Sequence, residues 1–334
     1  MPDRLVGLEV LQAALRESLG RTLGHRGFSS AARLTLLSVS ENTVFLAEEA
    51  GRRLVLRVHR PGYHLPNEIA SELAWIGELR DAHVLDTPAP VPDIDGRLLR
   101  TFRVGPTDRC VVAFEYVPGR SPEPQDDLIG WFMSLGTITA RLHTHARQWI
   151  GPVNFTRKSW TVETMLGPPS RAGGHWGDWR LARGLSPTGE ALLARAGEAI
   201  RSALARHGTA PDRFGLIHGD LRLDNLLVDE GRLHVIDFDD CGFGWFLYDF
   251  AAAVSFFEDA PTVPALMAAW VEGYRQVRPL SAEDLSVLPA LILLRRMLLL
   301  AWVASHPEAS TAEAMGGDYT EGALTLADRF LTRP

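Results

Sequence analysis

The run Leu216-Ile217-His218-Gly219-Asp220-Leu221-Arg222-Leu223-Asp224-Asn225-Leu226-Leu227-Val228, followed after Asp229-Glu230-Gly231-Arg232 by Leu233-His234-Val235-Ile236-Asp237-Phe238-Asp239-Asp240, decides how this chain is read. Leu226-Leu227-Val228 and Leu233-His234-Val235-Ile236 are short apolar runs on either side of a polar tetrapeptide that contains Gly231, the pattern of a β-hairpin. A hairpin brings its two ends together. Asn225 enters the first strand and Asp237 leaves the second, so the turn sets their oxygens side by side, as a hard cation such as Mg²⁺ requires.

Asp220 stands five positions before Asn225. That separation is the one used by phosphoryl-transfer loops of the form H-R-D-x-x-x-x-N for a proton acceptor and a metal ligand, and Asp237 follows where D-F-G carries its metal-binding Asp. The expectation is that Asp220 accepts the proton of a substrate hydroxyl and that Asn225 and Asp237 hold the metal. Asp and Asn also favour turns and caps, which is the competing account of any one of these residues alone. The agreement of the apolar Leu216-Ile217, the His218-Gly219-Asp220 turn, the hairpin and the apolar-flanked Asp237 weighs against it.

With these residues in place the chain resembles the aminoglycoside phosphotransferase-like branch of the protein-kinase-like superfamily, whose members share an H-G-D-x-x-x-x-N loop and a following I-D-[FL] element. The resemblance covers nearly the whole chain. It is most specific over residues 216–250, where Phe238-Asp239-Asp240-Cys241-Gly242-Phe243-Gly244 and Leu247-Tyr248-Asp249 are similar to the stress-response-kinase and homoserine-kinase-like members. The resemblance implies ATP and Mg²⁺ as cofactors and phosphoryl transfer from a nucleotide without naming the acceptor, because the branch spans antibiotic, choline, ethanolamine and homoserine kinases and a bacterial Ser/Thr kinase. It also implies an α+β, two-lobed protein-kinase-like fold. Residues 1–116 would be the small β-rich nucleotide-binding N-lobe and residues 117–334 the larger, mostly helical catalytic and acceptor-binding C-lobe, which the order of strands, helix, strands and then helices matches.

In the smaller lobe the position of the usual phosphate-binding lysine is the clearest departure from the family pattern. Lys158 is the only lysine in the chain, and the strand-like Val55-Leu56-Arg57-Val58 puts Arg57 where that lysine is expected. Arg keeps the charge but replaces a compact ammonium with a planar fork. Glu72, fifteen positions on, lies on an amphipathic helix over 68–79 with Ile69, Leu73, Trp75, Ile76 and Leu79 on its apolar side, and is the expected partner. Glu68 is a second candidate, and an ordinary surface pair is the alternative. Strands over 33–38 and 43–48 flank Val39-Ser40-Glu41-Asn42, a glycine-free stretch in the place of the phosphate-covering loop. Ser40, Asn42 and backbone N–H groups are the candidates for phosphate contact there, against a plain turn. A strand over 109–116 ends at Val117-Pro118-Gly119, which resembles the hinge between lobes, and backbone groups near Glu115 and Val117 would receive adenine.

In the larger lobe, helical spacing marks helices over 127–146 and 189–206. His143 and His145 close the first of these and are read as core or cap residues. His218 is assigned a bracing role by the resemblance. Arg222, two residues after Asp220, is a candidate to stabilise the departing phosphate charge, with a salt bridge to Asp224 as the alternative. Residues 150–190 interleave glycines and prolines with Trp160, Trp176 and Trp179, read either as an acceptor-site wall or lid or as packing loops with buried indoles. A short helix over 8–19 is expected near the N-terminus.

A chain of 334 residues with 46% apolar side chains can bury a substantial core. Two cysteines and a start without an apolar core predict a cytoplasmic protein with no disulfide framework. The apolar run over 287–304 contains Pro289, Arg295 and Arg296, which favours a buried helix over a membrane span. A net charge of −7 argues against nucleic acid as a partner. The leading expectation is Mg²⁺-dependent transfer of the ATP γ-phosphate to a hydroxyl of a small molecule. A cationic acceptor would draw on Asp239, Asp240, Glu258 and Asp259. A Ser/Thr protein kinase and a nucleotide-binding protein without turnover are the alternatives; D-F-G and A-P-E around an activation loop are absent.

Overall fold

A computed structural model describes residues 12–20, 22–39, 42–167, 174–307 and 309–332. The chain divides into two compact units: one takes the described residues up to Ala82, Thr87–Pro118 and Gly151–Thr156, and the other takes His83–Asp86, Gly119–Ile150 and the chain from Arg157 onward. The expected short N-terminal helix is described over 12–20 (α1), and its earlier residues lie outside the described ones.

The first unit is built on β1 (Arg33–Val39), β2 (Asn42–Glu49), β3 (Arg52–His59), β4 (Leu99–Val104) and β5 (Thr107–Glu115), with α2 (Pro66–Asp81) between β3 and β4. The strands form one antiparallel sheet in the order β1-β2-β3-β5-β4. Side chains alternate across the sheet. Leu54, Leu56 and Val58 of β3 join Phe45, Phe102, Val111, Ala113 and the α1 residues Leu15 and Leu19 in one core. Val112 faces the other way and packs with Ile69 and Leu73 of α2. Arg57, between Leu56 and Val58, therefore belongs to the α2 face, an outcome of strand periodicity alone.

Helix α2 begins at Pro66, two residues before the expected start at 68, because Pro66 is pre-set for a first helical turn and the Glu68 carboxylate accepts the Leu65 N–H at 2.7 Å. Ile69, Leu73, Trp75, Ile76 and Leu79 are buried, as the helical spacing predicts.

The second unit opens with α3 (Leu128–Gln148), capped by Asp127. It continues through β6 (Ser159–Trp160), α4 (Val162–Leu166), α5 (Pro187–His207), β7 (Phe214–Ile217), β8 (Leu226–Asp229), β9 (Arg232–Val235), β10 (Gly242–Trp245), α6 (Tyr248–Ala253) and α7 (Val263–Arg275). It closes with α8 (Ala282–Ser286), α9 (Leu288–Ser305), α10 (Ser310–Met315) and α11 (Asp318–Thr332). Strands β6, β10 and β7 form a small mixed sheet and β8 pairs with β9 alone. Trp160, Trp176 and Trp179 are buried, so these indoles of the glycine-rich stretch pack as core; residues 168–173 lie outside the described ones.

The stretch Ala282–Ser305 is long and apolar enough to cross a membrane by length and composition, yet 72% of its most apolar window is buried inside the protein. Arg295 and Arg296 are among its buried residues.

Candidate active site

The hairpin forms as the apolar runs require. Leu226 pairs with Val235 and Asp229 with Arg232, and the turn residues Glu230 and Gly231 both have positive φ, 47° and 78°. Positive φ at both central positions suits the twist of a two-residue hairpin. At the open end the Ile236 N–H donates to the Asn225 carbonyl at 2.9 Å, which places Asp237 one residue from that pairing. Asp237 itself sits at φ 60°, ψ 70°, a left-handed conformation that Asp tolerates better than most side chains, and it is exposed.

Asn225 also reaches back to the loop. Its Nδ2 donates to both the Asp220 carbonyl and Asp220 Oδ2, each at 2.8 Å. Its amide oxygen is thereby turned away from Asp220. Asp220, Asn225 and Asp237 are thus brought together by one loop and one hairpin.

The loop is fixed from below by Asp249, at the start of α6. Asp249 Oδ1 accepts the Gly219 N–H at 2.8 Å, and Oδ2 accepts the His218 N–H at 3.2 Å and bonds His143 Nε2 at 2.9 Å. His143 Nδ1 bonds the Tyr274 hydroxyl at 2.9 Å. His218 is fully buried with Nε2 at 3.1 Å from the Ile236 carbonyl, so it ties the loop to the hairpin as a brace. Gly219 is indispensable to the turn: its φ is 81°, and a Cβ there would stand 2.7 Å from the Asp240 carbonyl oxygen. On the other side of Asp237, Arg157 donates to the Cys241 and Asp239 carbonyls and Trp160 Nε1 to the Asp240 carbonyl at 2.8 Å.

Two guanidiniums meet the Asp220 carboxylate. Arg295 Nη2 donates to Oδ1, and Arg222 Nε lies 3.4 Å from Oδ2 while its Nη1 holds Asp224 at 2.6 Å. Burial alone would raise the Asp220 carboxyl, but the Arg295 and Arg222 charges and the Arg295 hydrogen bond outweigh it and hold the group below the usual carboxylate range. Tyr248, which accepts from Arg295, is pushed up to about 12 by burial and remains a neutral phenol. The salt bridge of Arg222 to Asp224, the alternative to a phosphate-facing role, is present.

Sequence reading missed Arg295 and placed Asp249 only within a family-like pattern. The signal for Arg295 was visible as two adjacent arginines inside Leu293-Leu294-Arg295-Arg296-Met297-Leu298. Charged side chains inside an apolar helix are held there by partners.

In the first unit, Arg57 Nη2 lies 2.7 Å from both Glu72 oxygens, and the two residues are 4% and 0% exposed. This is a buried pair, which corrects the alternative of a surface contact. Glu68 is occupied at the start of α2 instead. Asn42 is buried at the head of β2, opposite His59; Ser40 lies outside the described residues. The Glu115 N–H donates to the Ala89 carbonyl at 2.9 Å. The Val117 N–H donates to no group among the described residues. Of the carboxylates considered for a cationic acceptor, Glu258 is consumed by Arg296 and the Tyr319 hydroxyl, Asp239 and Asp240 are buried, and Asp259 keeps a side chain 40% exposed.

The donor set suits Mg²⁺. One Asp and one Asn on adjoining backbone would supply oxygen ligands and leave the remaining positions to phosphate oxygens and water, the way this ion is usually held at nucleotide sites. Among the described residues no group of three or more His, Cys, Asp or Glu is gathered for an all-protein metal cage.

An antiparallel sheet with a helix packed on one face, and a helical unit presenting a braced H-G-D loop beside the Asn225–Asp237 hairpin, define a small-molecule phosphotransferase of the protein-kinase-like fold. The model of the phosphotransferase enzyme family matches residues 34–280, and the chain belongs to that family. A solved microcompartment-associated aminopropanol kinase is 43% identical, with a TM-score of 0.86 and coverage of 94% of this chain and 97% of that one. An amicoumacin kinase solved with AMP-PNP, Ca²⁺ and Ami is 22% identical over 89% of this chain and 88% of its own, with a TM-score of 0.70, and shares the fold. A homoserine kinase of Gluconobacter oxydans (strain 621H) is 30% identical over 66% of this chain and 67% of its own.

Proposed function

We propose that the protein transfers the γ-phosphate of ATP, with Mg²⁺, to the hydroxyl of a small amino alcohol. The observation that carries this reading is the convergence of Asp220, Asn225 and Asp237, tied together by the Asn225 Nδ2 bonds to Asp220 and the Ile236 bond to the Asn225 carbonyl. The amino-alcohol class rests on the 43% identity to an aminopropanol kinase over nearly the full length of both chains.

Asp220 receives the acceptor hydroxyl. A carboxylate held ionised by two guanidiniums is a weak base, so its main work is to orient the hydroxyl, taking the proton late as the phosphoryl group arrives. Asn225 Oδ1 and the Asp237 carboxylate would hold Mg²⁺, which when bound supplies charge neutralisation on the nucleotide phosphates. Arg57, paired with Glu72, is the proposed nucleotide anchor of the first unit, and the Val117 N–H its proposed donor for adenine. Arg222 would reach a departing phosphate only by releasing Asp224.

Coupled ATP consumption with aminopropanol, homoserine, an aminoglycoside and a protein acceptor tests the reading. Turnover with aminopropanol well above the rate without acceptor is the expected result. Preference for homoserine would move the acceptor to an amino acid, and preference for protein would make this a protein kinase. Nucleotide binding without consumption under every condition would overturn phosphoryl transfer altogether.

A further inference from the structure

Arg295 lies in the middle of α9 with a side chain only 1% exposed, and each of its three nitrogens donates to the second unit's reaction loop or to groups that steady the guanidinium. Nη2 donates to Asp220 Oδ1; Nη1 donates to the Gly219 carbonyl at 3.4 Å and the Tyr248 hydroxyl at 3.2 Å; Nε donates to Ser255 Oγ at 2.9 Å. The Trp176 ring lies against it, 5.0 Å from Cζ to the ring centre. Removing a guanidinium from water is costly, and an apolar side chain would fill such a position in an apolar helix with no such penalty. Stability alone does not account for an arginine there.

Its placement accounts for it better. Asp220 Oδ1 is held by Arg295 from α9 and Oδ2 by Asn225 from the loop, so the carboxylate plane is defined at both ends. A carboxylate accepts about four hydrogen bonds, which leaves lone pairs in set directions for an incoming hydroxyl. We propose that Arg295 is a positioning residue for phosphoryl transfer, holding the Asp220 carboxylate in the orientation that receives the acceptor hydroxyl. The inference rests on the proposed function, since it presumes that Asp220 meets the acceptor.

The test is a double-mutant cycle on Asp220 and Arg295, followed by ATP consumption with aminopropanol and by thermal melts of each variant. Arg295→Met is expected to lower kcat about 100-fold while leaving KM for ATP within about twofold, because the loss is one of orientation at the reacting group. Arg295→Lys, which keeps the charge but not the fork, is expected to recover part of kcat. In an Asp220→Asn background, Arg295→Met is expected to add little further loss, because the residue acts through Asp220. Equal losses in both backgrounds, or a folded Arg295→Met with wild-type kcat, would overturn the proposal. Asp220→Asn with wild-type turnover would instead sink the reading of the site itself.

A second measurement needs no acceptor and covers the case of a poorly folding Arg295→Met. In crystals of Arg295→Lys or Ser255→Ala the Asp220 side chain is expected to leave its present rotamer or to adopt several. A carboxylate that stays in place in both variants would overturn the positioning role.

Discussion

Arg57 Nη2 stands 2.7 Å from both carboxylate oxygens of Glu72, and neither side chain reaches solvent to any extent. A buried pair of this kind couples two effects that a single substitution would confuse. Arg57→Met strands the Glu72 carboxylate and is expected to cost about 3–5 kcal/mol of stability. Arg57→Met combined with Glu72→Leu removes both charges and should recover much of that loss. If Arg57 anchors the nucleotide, ATP affinity stays low in the double variant by about 1.5–3 kcal/mol, the worth of a hydrogen bond to a charged group. Calorimetric titration with ATP on the refolded double variant decides it, and wild-type affinity would remove Arg57 from the nucleotide site.

Asp237 combines a left-handed backbone, φ 60°, with the carboxylate proposed for metal binding. Asn is the one replacement that tolerates that backbone and deletes only the charge. Asp237→Asn should therefore melt within a few degrees of the parent, yet need far more Mg²⁺ for half-maximal turnover and lose kcat by at least about 100-fold, the scale of one strong electrostatic contact. A variant with unchanged Mg²⁺ dependence would place the ion elsewhere.

Gly219→Ala is expected to fail for a reason of space as well as of φ. The new methyl group would meet the Asp240 carbonyl oxygen at 2.7 Å and Trp160 Nε1 at 3.0 Å, and both belong to backbone or a buried ring. Displacing them disturbs the loop on each side of Asp237. The expected cost is about 2–4 kcal/mol in urea unfolding, from strain at a special φ and overpacking together, with kcat reduced further than stability alone explains. Wild-type kcat in a folded Gly219→Ala would show that the turn has slack.

Much of this arrangement is legible in the sequence. The hairpin, the alternation that points Arg57 at α2, and the α2 stripe all follow from local periodicity, which is a property of neighbouring residues. The residues that escaped act across long separations: Arg295 reaches Asp220 over 75 positions and His143 reaches Asp249 over 106. No spacing rule joins them. Their only trace was negative, as a polar residue where the apolar pattern has no use for one. Reading Arg295 and Arg296 as an interruption of an apolar run caught that trace without its meaning.

His143 offers a prediction in pH. It is fully buried between Asp249 and the Tyr274 hydroxyl, and burial pulls its imidazole below the ordinary value, with Asp249 opposing and Arg278 reinforcing the shift. The folded protein therefore refuses a proton that the unfolded chain accepts near about pH 6.5. Stability from this group is fully present above that pH and declines as pH falls toward the depressed folded value. His207 is shifted the same way by burial and adds to the slope. Carboxylates held low by their partners, such as Asp126 beside Arg120, act only in more acidic solution. His143→Gln keeps a donor and an acceptor but does not titrate. Urea midpoints followed from about pH 8 to about pH 5 should fall more gently in the variant than in the parent, by up to about 1.4 kcal/mol per pH unit for the one proton removed. Parallel curves would mean that His143 does not enter the fold as the neutral imidazole that braces Asp249 beneath the loop.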